Sequence, residues 1–204
     1  MLSTDMVTRH RSVAAIVCLI SMLMLGGCVS QPAMTYQASI DNTEVLLAHP
    51  TGKLSVGSVD AAAGVANRHL SIRGSELTGG PDGTFAGYLR DALMTELKAA
   101  GRLDPASTTR IDGTLTHNEL DGGAVKNAKA VLGARFIVTK DGETVYDKTL
   151  TATHQWESSF IGAIAIPAAF QNYPAAMQKL VAKLFNDPEF IQAADMAPAT
   201  AAAR

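Results

Sequence analysis

The chain has 204 residues, with 17 basic against 19 acidic side chains and 47% apolar residues. That length suits one domain with appendages, and the apolar fraction is enough to fill a core, which excludes disorder over the full length. Near-neutral charge supplies no basic field for a nucleic acid backbone. Two cysteines cannot build a disulfide scaffold or a multi-cysteine zinc site.

Residues 1 to 11 carry Arg9, His10 and Arg11 with Asp5 as their one acid, and an apolar run from Val13 to Leu25 follows, interrupted only by Ser21. Thirteen residues are too few to cross a hydrocarbon core that needs about 20 in a helix. A basic start, a short apolar centre and then small residues describe a secretory signal peptide over residues 1–27. Leu25-Gly26-Gly27-Cys28 resembles the lipobox of bacterial lipoproteins. The resemblance implies cleavage between Gly27 and Cys28, a thioether-linked diacylglycerol on the Cys28 sulfur and a further acyl group on the new amine. Palmitate-type chains, each worth about 0.8 kcal/mol per buried methylene, anchor a protein without a transmembrane helix. Val29 after the cysteine implies, by the family's sorting rule, export to the outer membrane, with the folded part facing the periplasm. Cys18 leaves with the signal and Cys28 takes the lipid, so no disulfide is expected even in an oxidising compartment. The mature chain keeps 15 basic and 18 acidic groups, a net charge of about −3, so the anchor is the expected membrane contact and no nucleic acid partner is expected.

Residues 28–44 are polar and aperiodic, and are read as the lipidated tether; residues 45–192 are read as a single domain and 193–204 as a disordered Ala-rich tail. Leu54 to Val59 predicts a first strand. Residues 71–83, with four glycines and Pro81, predict a mobile loop. Thr84 is a good N-cap for a helix over about 85–100, with Phe85, Tyr88, Leu89, Ala92, Leu93, Leu97 and Ala100 inward, Arg90, Asp91, Glu96 and Lys98 outward, and Gly101 at C′. Ile111, Gly113 and Leu115 alternate with polar residues over 109–120, and Ala134, Phe136 and Val138 do so over 131–139. Asp141-Gly142 predicts a hairpin into a return strand over about 144–156. Pro174 is expected to open a helix at N1, Asn186 to stop it, and Asp187-Pro188 to cap a short continuation. This order predicts an α+β fold, two helices packed on one face of a small, mainly antiparallel sheet.

No nucleophile-elbow, P-loop, dinucleotide or paired-histidine zinc motif occurs in the sequence, and no metal or cofactor is expected. His117 and Glu119 share a strand face and read as a surface polar pair rather than two metal ligands. Ser158 and Ser159 read as turn residues; the alternative is a periplasmic hydrolase in which one of them is the nucleophile, served by His154 or His117. Residues 160 to 170 contain no charged or hydrogen-bonding side chain, and Pro167 is expected to break any continuous helix there. They are expected either to close the core as an edge strand or loop, or to leave an apolar patch for a partner or lipid. In the second case Phe160, Ile161, Ile164, Ile166 and Phe170 would make contact, with Trp156 and Tyr173 at the rim. An extended chain would put Ile164 and Ile166 on one face.

Together, the signal, the tether and the strand–helix–strands–helix order resemble small Gram-negative envelope lipoproteins. Within them, Phe85 to Leu103, ending in Ala-Ala-Gly-Arg-Leu, then a strand and the Asp-Gly hairpin resemble auxiliary lipoproteins of ABC-type transport and lipopolysaccharide assembly. The likeness implies a non-enzymatic accessory or scaffold role with an envelope protein as partner. Lipidation makes a direct prediction: Cys28→Ala should accumulate as uncleaved precursor on gels of fractionated membranes, whereas Cys18→Ser should be processed normally.

Overall fold

A computed structural model describes residues 31–32, 35–49, 52–123 and 126–195. The signal peptide, Gly27, Cys28 and the last nine residues lie outside that set. Alternating apolar residues form a long antiparallel meander of β5 (Thr109–Asp121), β6 (Asn127–Lys140) and β7 (Glu143–Glu157). Its inner face is buried through Ile111, Leu115, Ala134, Phe136 and Val138, the alternation read from the sequence. Asp141 and Gly142 both have positive φ, 51° and 89°, so the β6–β7 turn takes the conformation that Asp-Gly favours. β2 (Ser55–Ala61) joins β5 in parallel, giving the order β2-β5-β6-β7.

A smaller sheet lies where a mobile loop was expected. β3 (His69–Ile72) and β4 (Ser75–Thr78) form a hairpin through the positive-φ pair Arg73-Gly74, and β1 (Gln31–Pro32) pairs with β4 in parallel. Leu70, Ile72 and Leu77 turn inward and join the main core, which supplies the burial that the surrounding glycines lack. Gly79 is required by close approach: an added Cβ would lie 2.0 Å from the backbone carbon of Thr84.

The expected helix is α2 (Phe85–Ala99), capped by the Thr84 hydroxyl accepting from the Gly87 N–H at 2.9 Å, with Gly101 at φ 65° behind it. A second long helix, α3 (Gly162–Phe185), lies beside it on the same sheet face, so the predicted α+β layering is observed. α3 begins twelve residues before Pro174 and runs through both Pro167 and Pro174. Ala165, Ala169, Tyr173, Met177, Leu180 and Leu184 make one buried stripe across both rings. Its burial outweighs the lost intrahelical bonds, and Pro167 and the Ala163 it would have bonded are both exposed, where water can serve the freed carbonyl. Asn186 ends the helix, and the Asp187 carboxylate accepts from the Glu189 N–H at 2.9 Å to open α4 (Pro188–Asp195). Burial pushes the Asp187 carboxyl up, but the Lys148 ammonium and the backbone N–H donors of Glu189 and Phe190 together hold it below the usual range.

Two boundaries differ from expectation. α1 (Ile40–Ala48) begins inside the segment read as tether, and Tyr36, Asn42 and Leu46 are buried. At the other end Ala193 and Ala194 are buried rather than frayed. The residue that draws the N-terminal segment in is Glu96, expected on the outer face of α2 but fully buried. Its Oε1 accepts from Tyr36 Oη at 2.6 Å, the Ser39 N–H at 3.0 Å and Asn42 Nδ2 at 2.9 Å. Desolvation, then the hydrogen bond and the charge of Glu96, push the Tyr36 hydroxyl far above its ordinary pKa, so it stays a donor. Removing the acceptor strands the buried Tyr36 hydroxyl and the part-buried Ser39 N–H and leaves Asn42 Nδ2 only its Gln178 carbonyl: Glu96→Ala should cost about 3 kcal/mol in urea unfolding, and Glu96→Gln, which keeps an acceptor oxygen, should cost less. A chain starting at residue 45 should be destabilised as strongly as Glu96→Ala relative to one starting at residue 35.

Candidate partner-binding surface

The apolar run 160–170 is neither an edge strand nor a loop; it leads into and forms the first turns of α3. Helical geometry puts residues two apart at about 200° to one another, which separates the two isoleucines that an extended chain would align. Ile164 is 56% exposed, whereas Ile166 is half-buried and packs on the core. Phe170 is buried with Ala165 and Ala169, so the run divides into an inner and an outer face. Phe160 is 74% and Ile161 44% exposed, and with Ile164 they form an apolar knuckle before and within the first turn of α3. Trp156 is half-buried against the core and Tyr173 is fully buried, so the expected aromatic rim is not formed. The Tyr173 hydroxyl instead donates to Asn118 Oδ1 at 2.9 Å, and desolvation in that site raises its pKa.

The backbone of the knuckle is tied to the rest of the fold by one side chain. Arg73, at the tip of the β3–β4 hairpin, donates from Nη1 to the Phe160 carbonyl at 2.7 Å and from Nη2 to the Ser159 and Gly123 carbonyls, both at 2.9 Å. One guanidinium therefore ties the loop before α3 to the end of β5 and to the small sheet. The Ser159 hydroxyl accepts from the Ile161 N–H at 3.1 Å, and the Ile161 carbonyl receives the Ala165 N–H at 3.0 Å as the helix begins. No sequence signal marks Arg73 for this role, since its partners are backbone carbonyls 50 to 87 residues away.

The groups of the hydrolase reading are not brought together. Ser158 Oγ is buried with no protein hydrogen-bond partner. His154 stacks on Trp156 at 5.7 Å between ring centroids, and its Nε2 lies 2.8 Å from Asn172 Oδ1. Asn172 Nδ2 donates to the Ala168 carbonyl, so its Oδ1 is the acceptor and His154 Nε2–H the donor, a positioning contact without an acid behind it. His117 Nε2 sits 3.3 Å from Glu119 Oε2, both about half-exposed, the surface pair expected from the sequence. Among the described residues no group of three metal-ligating side chains converges.

No family model and no curated relative matches the sequence. Solved structures superpose on parts of the chain. A Xanthomonas campestris protein carrying the family description DUF330 superposes with a TM-score of 0.51 at 14% identity, over 76% of this chain and 88% of that one. A Caulobacter crescentus chain gives 0.44 at 14% identity, over 78% and 99%. A minor lipoprotein from Acinetobacter baumannii gives 0.39 at 14% identity, over 69% and 94%. The Xanthomonas structure shows a shared fold, and at that identity the likeness extends no further.

The two faces of the first α3 turns predict opposite outcomes for one substitution. Ile164→Asp should change stability by less than about 0.5 kcal/mol, while Ile166→Asp should lower it by about 2 kcal/mol; thermal unfolding of the two variants checks this.

Proposed function

We propose that the protein is an outer-membrane lipoprotein, anchored through Cys28 and facing the periplasm, that serves as a non-enzymatic accessory or scaffold in envelope assembly or lipid transport. The observation that carries this reading is the exposed knuckle of Phe160, Ile161 and Ile164, held by Arg73 on a rigid frame. Exposed aromatic and aliphatic side chains on a fixed backbone lose little conformational entropy on docking, and burying each is worth about 1.5–3 kcal/mol. The basic start, short apolar run and Leu25-Gly26-Gly27-Cys28 support the anchor. The fold shared with the Xanthomonas protein agrees with a small α+β module. In this reading an envelope protein is the partner of the knuckle, the lipid anchor is the membrane contact, and the work requires no cofactor. The unpartnered Ser158 hydroxyl gives the serine-hydrolase alternative no support.

Photocrosslinking in intact envelopes tests the proposal. A benzophenone side chain at Phe160 or Ile164 should give one discrete adduct, and the same probe at Arg110, exposed on the main sheet, should not. Loss of the adduct in Cys28→Ala would tie the interaction to anchoring. Identical products from all three positions would overturn the docking role, and covalent labelling of Ser158 by a fluorophosphonate would overturn the non-enzymatic one.

A further inference from the structure

The main sheet ends on β7, a strand of 15 residues with one free edge. Antiparallel pairing with β6 occupies only alternate residues of β7, so the others point their N–H and C=O groups outward. Among the described residues, no backbone hydrogen bond beyond the β6 ladder reaches this strand. Free edges are normally blunted with proline, charge or a bulge. Here the only register shift lies near the turn, before Tyr146, and Thr149 to Trp156 contains no proline, glycine, lysine, arginine or acid. Thr149, Thr151 and Thr153 supply β-branched residues suited to pairing.

Helix α3 lies along this edge. His154 meets Asn172, and Lys148 meets Asp187. Fifteen helical residues rise about 22 Å while six strand residues span about 20 Å, so the helix runs antiparallel to β7 and nearly aligned with it. Thr151, Ala152 and Thr153 form one wall of a groove of about 700 Å³, and Lys179, Ala182 and Lys183 form the other. Lys179 and Lys183 are exposed and make no ion pair within the described chain. The acids one turn beyond, Asp187 and Glu189, are held by Lys148 at 3.1 and 2.8 Å. The groove therefore combines an open backbone edge with two lysines that make no ion pair among the described residues, Asp41 of α1 lining the adjoining hollow on the far side of Lys179.

We propose that β7 and α3 form a strand-addition site for an extended acidic segment of a partner protein. Its backbone would continue the sheet beyond β7, the mode by which exposed edges bind peptides. The spacing of the lysines specifies the side chains. Four helical residues separate them by about 6 Å, and residues i and i+2 of an extended strand lie about 6.6 Å apart on one face. Carboxylates at alternate positions therefore match both cations. A second copy of this chain fits poorly, because the alternate residues Tyr146, Lys148, Leu150, Ala152, His154 and Trp156 of its own β7 include no carboxylate to meet those lysines. The C-terminal residues 196–204 carry Arg204 and no acidic side chain, so they lack the complementary charge. The groove is distinct from the Phe160 knuckle, which sits at the opposite end of α3.

Fluorescence anisotropy of the full chain in detergent, with a labelled ten-residue peptide alternating glutamate with valine or threonine, tests the proposal. Saturable binding is expected, weakened by about tenfold or more in the double variant Lys179→Glu, Lys183→Glu, as reversal of two charge pairs requires. The variant's thermal midpoint should stay unchanged, because both side chains are exposed. A peptide with lysine in place of glutamate should bind the double variant and not the original chain. Of two acidic peptides N-methylated on opposite sets of alternate amides, only one should still bind. Equal binding of acidic and basic peptides, an unaffected double variant, or binding by both methylated peptides would overturn the proposal. So would a concentration-dependent dimer that the charge reversal tightens, which assigns the edge to a second copy, or tighter peptide binding once residues 196–204 are deleted, which assigns it to the tail.

Discussion

One buried carboxylate oxygen organises the N-terminal third of the fold. Oε1 of Glu96 gathers a phenol, a backbone N–H and an amide from a segment more than 50 residues away. Three donors on Oε1 offset part of the loss of water, while Oε2 is buried without a hydrogen-bond partner among the described residues. They also fix where α1 starts, because Ser39 precedes the helix and Asn42 lies in its first turn. Asn42 then reaches the Gln178 carbonyl of α3 at 3.3 Å, and Tyr36 packs edge-on against Tyr88 at 5.8 Å. α1 thus bridges the two helices that cover the sheet.

The parts of the fold governed by local chemistry were legible in the sequence. Thr84, Gly101 and Asp141-Gly142 each satisfy a backbone demand within a few residues, and the alternation of β5 and β6 reports a single buried face. The misread parts depend on partners far along the chain. Residues 35–44 look like tether because their polar composition hides that Asn42 is paired and Tyr36 buried. One signal was available: Glu96 falls three and four residues from Leu93 and Ala92, on the apolar stripe, where an acid implies a buried partner. The two prolines of α3 obey the rule that they remove a hydrogen bond, yet the inner stripe spans both. The apolar run 160–170 stands out in the sequence, but its division between core and surface follows a helical period that the local rule for Pro167 forbids.

α3 carries two distinct surfaces along one axis. Its first turn carries the exposed knuckle, its middle carries the Tyr173–Asn118 and Asn172–His154 contacts that seat it on the sheet, and its last two turns place Lys179 and Lys183 beside the open edge of β7. A helix of 24 residues extends about 36 Å, so the two surfaces sit toward opposite ends of one helix.

The Arg73 clamp also has a mechanical meaning. β1 is the described segment nearest the chain's start and pairs with β4, whose hairpin turn carries Arg73, which in turn grips the carbonyls of the knuckle. A pull on the N-terminal end therefore does not have to pass through the main sheet to reach Phe160. It can travel along the small sheet as along a lever, with a guanidinium as the joint. In the proposed anchoring, tension between the membrane and the body would be felt at the docking surface, coupling how the protein stands off the membrane to how it presents its apolar knuckle.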